Sequence, residues 1–471
     1  MTHYNKGFIY FICLVSAMGG LLFGYDWVVI GGAKPFYEQF FGIDGDAAMQ
    51  GLAMSIALAG CLVGAMTAGA LADRLGRKPL LIISALIFLL SAYGTGAVSS
   101  FTLFLVIRLL GGVAIGIASG LSPMYIAEVA PSHIRGKLVT LNQLTIVIGI
   151  LAAQIVNWLI AEPIPAGVNA PPLDSWNVQH GWRWMFWGAA FPAAAFLILA
   201  FFIPESPRWL IMKGREKSAD LVLGKIGGKS YAASEVNAMS ASLKSEGKRG
   251  TLKALFSRRY HRVLILGIII AVFQQWCGTN VIFNYAQEIF SNAGFELGDM
   301  LFNIVLTGIT NVVFTVVAIY TVERLGRKRL MLLGSGGLAA IYAILGGCYA
   351  LALSGFFMIL LVVAAIACYA MTLGPITWVL LAEIFPNRVR AIGIATCTFA
   401  LWTGSFTLTY SFPFLNQGLG SSGTFWTYAA ICLLGFIFFK LKCPETKGKS
   451  LEYLEKQLTD SESETIMSSD F

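Results

Sequence analysis

The chain has little charge and very little histidine. Only 12% of its 471 residues are charged and four are histidines, whereas 57% are hydrophobic. That balance excludes an ordinary soluble domain. The eight cysteines form no CxxC pair, and the sequence contains neither a nucleotide-binding loop nor a recognisable nucleophile beside a base. We therefore expect no metal, no cofactor, no disulfide framework and no enzymatic activity.

Long apolar segments make up most of the chain. A helix needs about 20 mostly apolar residues to cross the hydrocarbon of a bilayer. These segments are too long and too uniformly apolar to be the strands of a membrane barrel. We predict an all-α integral membrane protein with twelve transmembrane helices. The predicted spans are residues 8–31, 51–72, 80–98, 101–126, 138–161, 183–203, 262–290, 301–322, 330–353, 357–381, 391–415 and 424–441.

The positions of lysine and arginine predict the orientation of these spans. Apart from Lys34, Arg108 and Arg183, they lie before the first span, in loops from even- to odd-numbered spans, or at the C-terminal end. Because positive loops stay in the cytoplasm, we expect both termini to be cytoplasmic. The absence of an N-x-Ser/Thr sequon favours a bacterial inner membrane. The net charge of +8 indicates contact with anionic membrane lipids rather than with nucleic acid.

Three charged motifs occur twice, in the same order. The pairs are residues 73–78 with 323–328, Glu128 and Arg135 with Glu383 and Arg390, and residues 204–208 with 444–447. Parallel repeats of this kind build transporters that rock about a central site. We expect two pseudo-symmetric six-helix halves, 1–203 and 259–441. A cytoplasmic linker with short helices at 204–258 joins them, and a cytoplasmic tail follows at 442–471.

Two ionisable residues lie inside predicted spans. Asp26 lies deep in the first span and Arg108 lies in the fourth. A charge near the bilayer centre costs about 2.5–3.5 kcal/mol on insertion scales, so each residue needs a partner or a function. One interpretation is a fixed ion pair that neutralises both. We favour a carboxyl group that exchanges a proton, because burial favours its neutral form and a nearby guanidinium favours its ionised form.

Amides and aromatic residues form a second group of candidates. Gln274, Gln275 and Asn280 surround the helix-loosening Gly278 in the seventh span. Amides both donate and accept hydrogen bonds, and aromatic faces pack against the CH groups of a polyhydroxyl ligand. Hydrogen bonding between helices is the alternative. The other members of this group are Gln143, Asn311, Trp378 and Trp402.

The repeated charged motifs are the third candidate site. We expect ion pairs of Glu128 with Arg135, of Glu383 with Arg390 and of Glu205 with Arg208, which would hold the cytoplasmic side closed. The alternative is that these charges only orient and solvate the loops. Exposed pairs are individually weak, so only a network would bias a conformational equilibrium. The predicted gate residues are Asp73, Arg77, Glu128, Arg135, Glu205, Arg208, Glu323, Arg327, Glu383 and Arg390.

At this point the chain resembles a known family, the sugar porters of the major facilitator superfamily, over nearly its whole length. The motifs that carry the resemblance are residues 69–78, 204–210, 274–280 and 444–448. Within the family the chain is most similar to bacterial D-xylose–proton symporters, through residues 19–26, 121–127, 134–138 and 378–386. The resemblance implies the major facilitator fold and the transport of a sugar with a proton.

The resemblance also implies roles for single positions. Asp26 and Arg108 match the proton-coupling pair, and passive members of the family usually carry an amide in place of Asp26. The positions that match sugar-binding residues of the family are Gln143, Gln274, Gln275, Asn280, Asn311 and Trp378. We add Trp402 and Phe23 to the predicted sugar site. Four departures from the xylose symporters lie at or near the expected cavity and make it more apolar. They are Ile150, Phe283, Asn284 and Leu401.

We therefore predict proton-coupled import of a monosaccharide by alternating access. D-Xylose is the first candidate, and a hexose such as glucose or galactose is its rival. A passive sugar uniporter is the main alternative, in which Asp26 would only pair with Arg108. A non-transporting sugar sensor is a third, although such a receptor would be expected to carry a longer tail. We expect a monomer whose partners are a sugar, a proton and membrane lipids.

Overall fold

The computed structural model of the chain describes residues 4–163, 171–245, 252–295, 297–386, 389–447 and 449. Every regular element within these residues is a helix. The first part contains α1 (Lys6–Phe41), α2 (Ala47–Leu75), α3 (Arg77–Ala97), α4 (Phe101–Val129), α5 (Arg135–Ile160), a π-helical turn (Asn177–Gly181), α6 (Trp182–Trp187) and α7 (Ala190–Ala200).

The remaining helices belong to the linker and to the second half of the sequence. They are α8 (Pro207–Met212), α9 (Glu216–Ser245), α10 (Leu252–Leu255), α11 (His261–Trp276), α12 (Thr279–Asn284), α13 (Ala286–Asn292), α14 (Leu297–Leu325), α15 (Arg327–Ala350), α16 (Phe356–Met371), α17 (Leu373–Ile384) and α18 (Arg390–Lys442). The helices α8, α9 and α10 fall within the predicted linker. The predicted tail beyond residue 449 lies outside the described residues.

The described residues contain eleven helical segments long and apolar enough to cross a membrane, and the last of them runs from Ile392 to Lys442. A straight helix of its 51 residues would measure about 75 Å, whereas the hydrocarbon layer is about 30 Å thick. The backbone leaves helical geometry at Gly420 (φ 65°, ψ 176°). The segment therefore contains the eleventh and twelfth predicted spans. The all-α, multi-span fold is confirmed.

Two of the predicted spans are interrupted helices. The seventh consists of α11, α12 and α13, and Gly278 stands between the first two with a left-handed backbone (φ 87°). The tenth consists of α16 and α17, which meet at Thr372 (φ −122°, ψ −86°). Pro375, which has no backbone N–H, follows this break and lies in the first turn of α17. Broken helices are the usual location of binding sites in transporters of this kind.

The chain forms two compact units. The first takes its residues from 1–44 and 56–248, and the second from 45–55 and 249–471. In the first unit α1 packs lengthwise against α5, and α3 packs against α4. In the second unit α15 and α11 both pack against α18. The linker helices α8 and α9 belong to the first unit, where Trp209 and Ala219 lie in a small apolar core.

Helices α2 and α4 approach backbone to backbone through glycines four residues apart. A Cβ atom on Gly112 would overlap the carbonyl group of Ala57, and one on Gly116 would overlap that of Cys61. Small residues at this spacing let helices pack closely. The stripe of glycines in the fourth span is therefore a packing face.

This packing predicts that Gly112→Ala lowers the stability of the protein. The added methyl group must displace a backbone carbonyl, and such overpacking costs about 1–3 kcal/mol. We expect a lower melting temperature in detergent. Gly120→Ala is the matched control on the same helix, because no atom lies within 4 Å of its Cβ position. Equal melting temperatures for the two variants would contradict the packing account.

Candidate functional site

A buried ion pair joins α1 to α4 in the first unit. Arg108 Nη1 lies 2.7 Å from Asp26 Oδ1, and Arg108 Nη2 lies 3.5 Å from the backbone oxygen of Asp26. Asp26 is only 6% exposed and Arg108 only 1% exposed. The guanidinium carbon also lies 5.4 Å from the centre of the Phe186 ring. The two intramembrane charges singled out in the sequence are therefore direct partners.

The pair leaves hydrogen-bonding capacity unused. Among the described residues, neither Asp26 Oδ2 nor Arg108 Nε has a hydrogen-bond partner. A guanidinium that served only to neutralise a carboxylate would be expected to engage both of its oxygens as a fork. The single contact leaves the second carboxylate oxygen without a hydrogen-bond donor among the described residues.

A chain of hydrogen-bonded amides lies at the break between α11 and α12. The Asn280 amide donates to Gln275 Oε1. Gln275 Nε2 donates to Gln274 Oε1 at 2.5 Å, and Gln274 Nε2 donates to the Tyr369 hydroxyl at 2.6 Å. All three amides are buried. The chain therefore ties the interrupted span to α16, and it leaves Asn280 Oδ1 without a partner among the described residues.

Gly278 makes this arrangement possible. Its positive φ is a conformation that glycine adopts at little cost, and a Cβ atom would overlap the ring of Tyr428. Next to the break, Thr279 Oγ1 lies 3.3 Å from the Tyr342 hydroxyl. The break brings Asn280, on the first turn of α12, within reach of Gln275 on the last turn of α11.

The other predicted sugar-site residues have mixed environments. In the second unit Asn311, Trp402, Phe283, Asn284 and Leu401 are buried, whereas Trp378 is 41% exposed. In the first unit Ile150 is buried, Gln143 is half-buried, and Phe23 stacks on Trp27 with ring centres 5.7 Å apart. The three amides of the interrupted span are joined to one another by hydrogen bonds.

The repeated charged motif of the first unit forms a network around Arg77. Its guanidinium contacts both oxygens of Glu128 at 3.0 Å, and it lies 3.3 Å from Asp73. The Ser206 hydroxyl donates to Glu128 at 2.5 Å. The network thus connects the end of α2 and the start of α3 to the end of α4 and to the loop before α8.

Glu205 caps the start of α3 in the same network. Its Oε1 atom accepts backbone N–H groups of Arg77 at 2.9 Å, Lys78 at 3.2 Å and Ser206 at 2.7 Å. Burial raises the pKa of the Glu205 carboxyl, and these donors together with the Arg77 charge oppose the rise. The positive φ of Gly76 (107°) allows the preceding turn, where a Cβ atom would overlap this carboxylate.

The second unit repeats the arrangement. Arg327 lies 2.9 Å from Glu383, and the Thr446 hydroxyl donates to the same carboxylate at 2.5 Å. Glu445 accepts the backbone N–H groups of Arg327 at 2.9 Å and Lys328 at 3.2 Å. Each residue of this network makes the contacts of its counterpart in the first unit. The counterparts are Arg327 and Arg77, Glu383 and Glu128, Glu445 and Glu205, and Thr446 and Ser206. The duplication is therefore seen in the geometry as well as in the sequence.

The acids in these networks have different partners from those expected. Glu128 and Glu383 pair with Arg77 and Arg327 rather than with Arg135 and Arg390. Arg135 instead lies 3.4 Å from the carbonyl of Ala130, and Arg390 donates to that of Phe385 at 3.1 Å. Because each arginine closes the turn at the start of its own helix, it is directed away from the acid seven residues earlier.

The predicted third pair, Glu205 with Arg208, stays a prediction. Glu205 accepts backbone N–H groups, and Arg208 lies half-buried in the first turn of α8. The side chain of Glu323 lies outside the part of the chain that the structure describes.

Sequence reasoning missed three participants. Ser206 and Thr446 follow the acid in both copies of the Pro-Glu motif, so the repeat itself could have identified them. For Tyr369 the sequence offers no indication of a role except a hydroxyl group within an apolar span. The first predicted span ends at residue 31, but α1 continues to Phe41 and buries Lys34 and Glu38 as a pair at 3.1 Å. No cluster of metal-ligating side chains occurs among the described residues.

The Glu205 cap predicts a destabilised Glu205→Ala variant. Three part-buried backbone N–H groups would lose their acceptor, and an unsatisfied buried donor costs about 1–3 kcal/mol. We expect a lower melting temperature in detergent and a smaller loss for Glu205→Gln, which keeps a carbonyl oxygen. Asp220→Ala, at an exposed site on α9, is the control. If Glu205→Ala melts like the control, the cap does not stabilise the protein.

Comparisons with known proteins match the whole length of the chain. A family model described as "Sugar (and other) transporter" matches residues 12–458. The chain is 36% identical over 454 residues to the arabinose-proton symporter of Bacillus subtilis, with 96% of each chain covered. It is also 36% identical over 487 residues to the D-xylose-proton symporter of Escherichia coli, again with 96% of each covered.

The fold is similar to that of a solved transporter. The inward-open structure of the E. coli xylose transporter matches with a TM-score of 0.84 and 34% identity. The match covers 96% of this chain and 100% of that one.

Proposed function

Because the chain belongs to this family of sugar transporters, and is a multi-pass membrane transporter rather than an enzyme, we propose that it imports a monosaccharide together with a proton. Two six-helix halves would alternate access to a site between the predicted spans. The single observation that carries the proposal is the buried Asp26–Arg108 pair, whose second carboxylate oxygen has no partner among the described residues.

The coupling follows from the chemistry of this pair. While Asp26 is ionised, its attraction to Arg108 holds α1 and α4 together. A proton that binds the free Oδ2 atom removes the charge of the carboxylate and weakens that attraction. The pair can then separate as the protein changes conformation, and the proton leaves when the guanidinium returns. A passive uniporter, with a permanently ionised Asp26, is the alternative.

The sugar is held by the amide chain of the interrupted span. Gln274, Gln275 and Asn280 offer donors and acceptors that sugar hydroxyl groups can satisfy, and Asn280 Oδ1 is free for this purpose among the described residues. Where the sugar replaces hydrogen bonds that the amides now make with each other, only the difference between the two sets of bonds contributes to the binding free energy. Gln143, Asn311, Trp378, Trp402 and Phe23 complete the proposed site.

We propose D-xylose as the substrate. The relatives named above carry arabinose or D-xylose, so a pentose is favoured. A hexose is the second candidate, because Ile150, Phe283 and Leu401 make three buried positions apolar and a hexose has an additional carbon to place against them. The polar Asn284, also buried, is the fourth position at which selectivity would be set.

The two charged networks form the proposed cytoplasmic gate. Each fixes the turn between two helices of its own unit through buried or half-buried ion pairs. We assign both termini to the cytoplasm of a bacterium and the spans to its inner membrane, since lysine and arginine concentrate before the first span and in the loops from even- to odd-numbered spans. The transporter is proposed to act as a monomer among anionic lipids. A sugar sensor that binds without transport is the remaining alternative.

Asp26→Asn tests the coupling. We expect the variant to lose gradient-driven accumulation of labelled D-xylose in proteoliposomes, because an amide cannot exchange the proton. Counterflow, which needs no net proton movement, should persist. Asp174→Asn, an exposed site, is the control and should accumulate sugar like the parent. Accumulation by Asp26→Asn would rule out this residue as the coupling group.

Asn280→Ala tests the sugar site. Removing one hydrogen-bonding amide from a buried site should weaken D-xylose binding by about 1–3 kcal/mol, measured by titration calorimetry. Asn292→Ala is the control, since Asn292 is an exposed amide on α13 that bonds to Ser421. Unchanged affinity in Asn280→Ala would place the sugar elsewhere.

A further inference from the structure

Two rows of buried polar side chains continue beyond the amide chain in the second unit. One row consists of Asn284 on α12 and Gln287 on α13, and the other consists of Ser405 and Thr409 on α18. Each of these residues is at most 5% exposed. The first row follows Asn280 at spacings of four and three residues, on the two short helices that meet at Tyr285.

The atoms of these rows are left without hydrogen bonds. Asn284 Oδ1, both amide atoms of Gln287, Ser405 Oγ and Thr409 Oγ1 have no partner among the described residues. The threonines beside them on α18 behave differently, since Thr403 and Thr407 donate to carbonyls one turn back at 2.9 and 3.0 Å. The rows therefore differ from ordinary hydroxyls of a membrane helix, which satisfy themselves within the helix.

The two rows approach each other near Thr409. Gly267 on α11 is close to Cys397 on α18, and Val272 is close to Gly404. Further along, the Tyr285 hydroxyl donates to the carbonyl of Thr409 at 2.7 Å, and the rings of Tyr285 and Phe412 lie 4.2 Å apart. The two segments thus run in the same direction. Asn284 and Gln287, on either side of Tyr285, lie near the Thr409 end of the second row.

The chemistry of the rows suits a carbohydrate. Amides and hydroxyls each donate and accept, as do the neighbouring hydroxyl groups of a sugar ring. Seven residues separate Asn280 from Gln287, which is about 10 Å along a helix. A ligand that reached from Asn280 to Gln287 would therefore extend beyond the single sugar ring that we assign to the amide chain. If the rows served packing alone, apolar side chains would fill the same space without leaving polar atoms unsatisfied.

We propose that Asn284, Gln287, Ser405 and Thr409 form a second carbohydrate subsite, which holds the outer ring of a disaccharide whose first ring lies at Gln274–Asn280. This inference rests on the proposed function, because it takes the first ring from the monosaccharide site.

The test compares sugars of one and two rings. We would measure the affinity of the purified transporter for D-xylose and xylobiose, and for D-glucose and cellobiose, by titration calorimetry. The parent should bind one of the two monosaccharides more tightly than the other. It should bind the corresponding disaccharide, xylobiose for D-xylose or cellobiose for D-glucose, at least as tightly as that monosaccharide. Gln287→Leu and Thr409→Val should each weaken disaccharide binding about tenfold and change monosaccharide binding less than twofold. Thr407→Val is the control and should change neither.

A second readout separates the subsite from a structural role. Gln287→Leu removes an unsatisfied buried amide, so its melting temperature without sugar should rise while its disaccharide affinity falls. Failure of the parent to bind either disaccharide, while a monosaccharide binds, would overturn the subsite and leave the proposed function intact. Equal losses for one- and two-ring sugars would overturn it as well. Failure to bind any of the four sugars would overturn both.

Discussion

The high free-energy cost of placing a charged side chain in hydrocarbon is the constraint on which the rest of the structure depends. A lone aspartate or arginine at the depth of Asp26 and Arg108 would be strongly unfavourable, so each requires the other. The 2.7 Å contact between them satisfies the charges but not every polar atom. A buried pair of this kind is poor evidence for stability, since apolar residues of similar size often stabilise a protein as well or better. The proton exchange proposed above for Asp26 would explain its presence.

The same constraint explains where the helices break. Backbone groups freed at Gly278 and Thr372 cannot be left unsatisfied in lipid, so they lie within the protein. Polar side chains gather at the first break, where the amides of Gln274, Gln275 and Asn280 bond to one another. At the ends of the spans, Glu205 and Glu445 satisfy the backbone donors that begin α3 and α15. Duplication has preserved this solution in both units.

Much of this arrangement could be predicted from the sequence. Apolar length identified the spans, and charge inside them identified Asp26 and Arg108 as partners. Side-chain directions at helix ends could not be predicted in the same way. Arg135 and Arg390 bond to carbonyls five residues back, which leaves Glu128 and Glu383 to Arg77 and Arg327. The sequence also did not predict that α1 continues through Lys34 and Glu38. Two charged residues near the end of an apolar segment usually mark the end of a span, whereas here they are buried as an ion pair within the helix.

The most direct test of the account is whether sugar drives protons across the membrane. Proteoliposomes with a pH-sensitive dye inside, and no imposed gradient, would receive D-xylose or D-glucose on the outside. The account predicts internal acidification on addition of the transported sugar, and no such change for empty liposomes. Entry of labelled sugar without acidification would contradict proton coupling and identify a passive carrier.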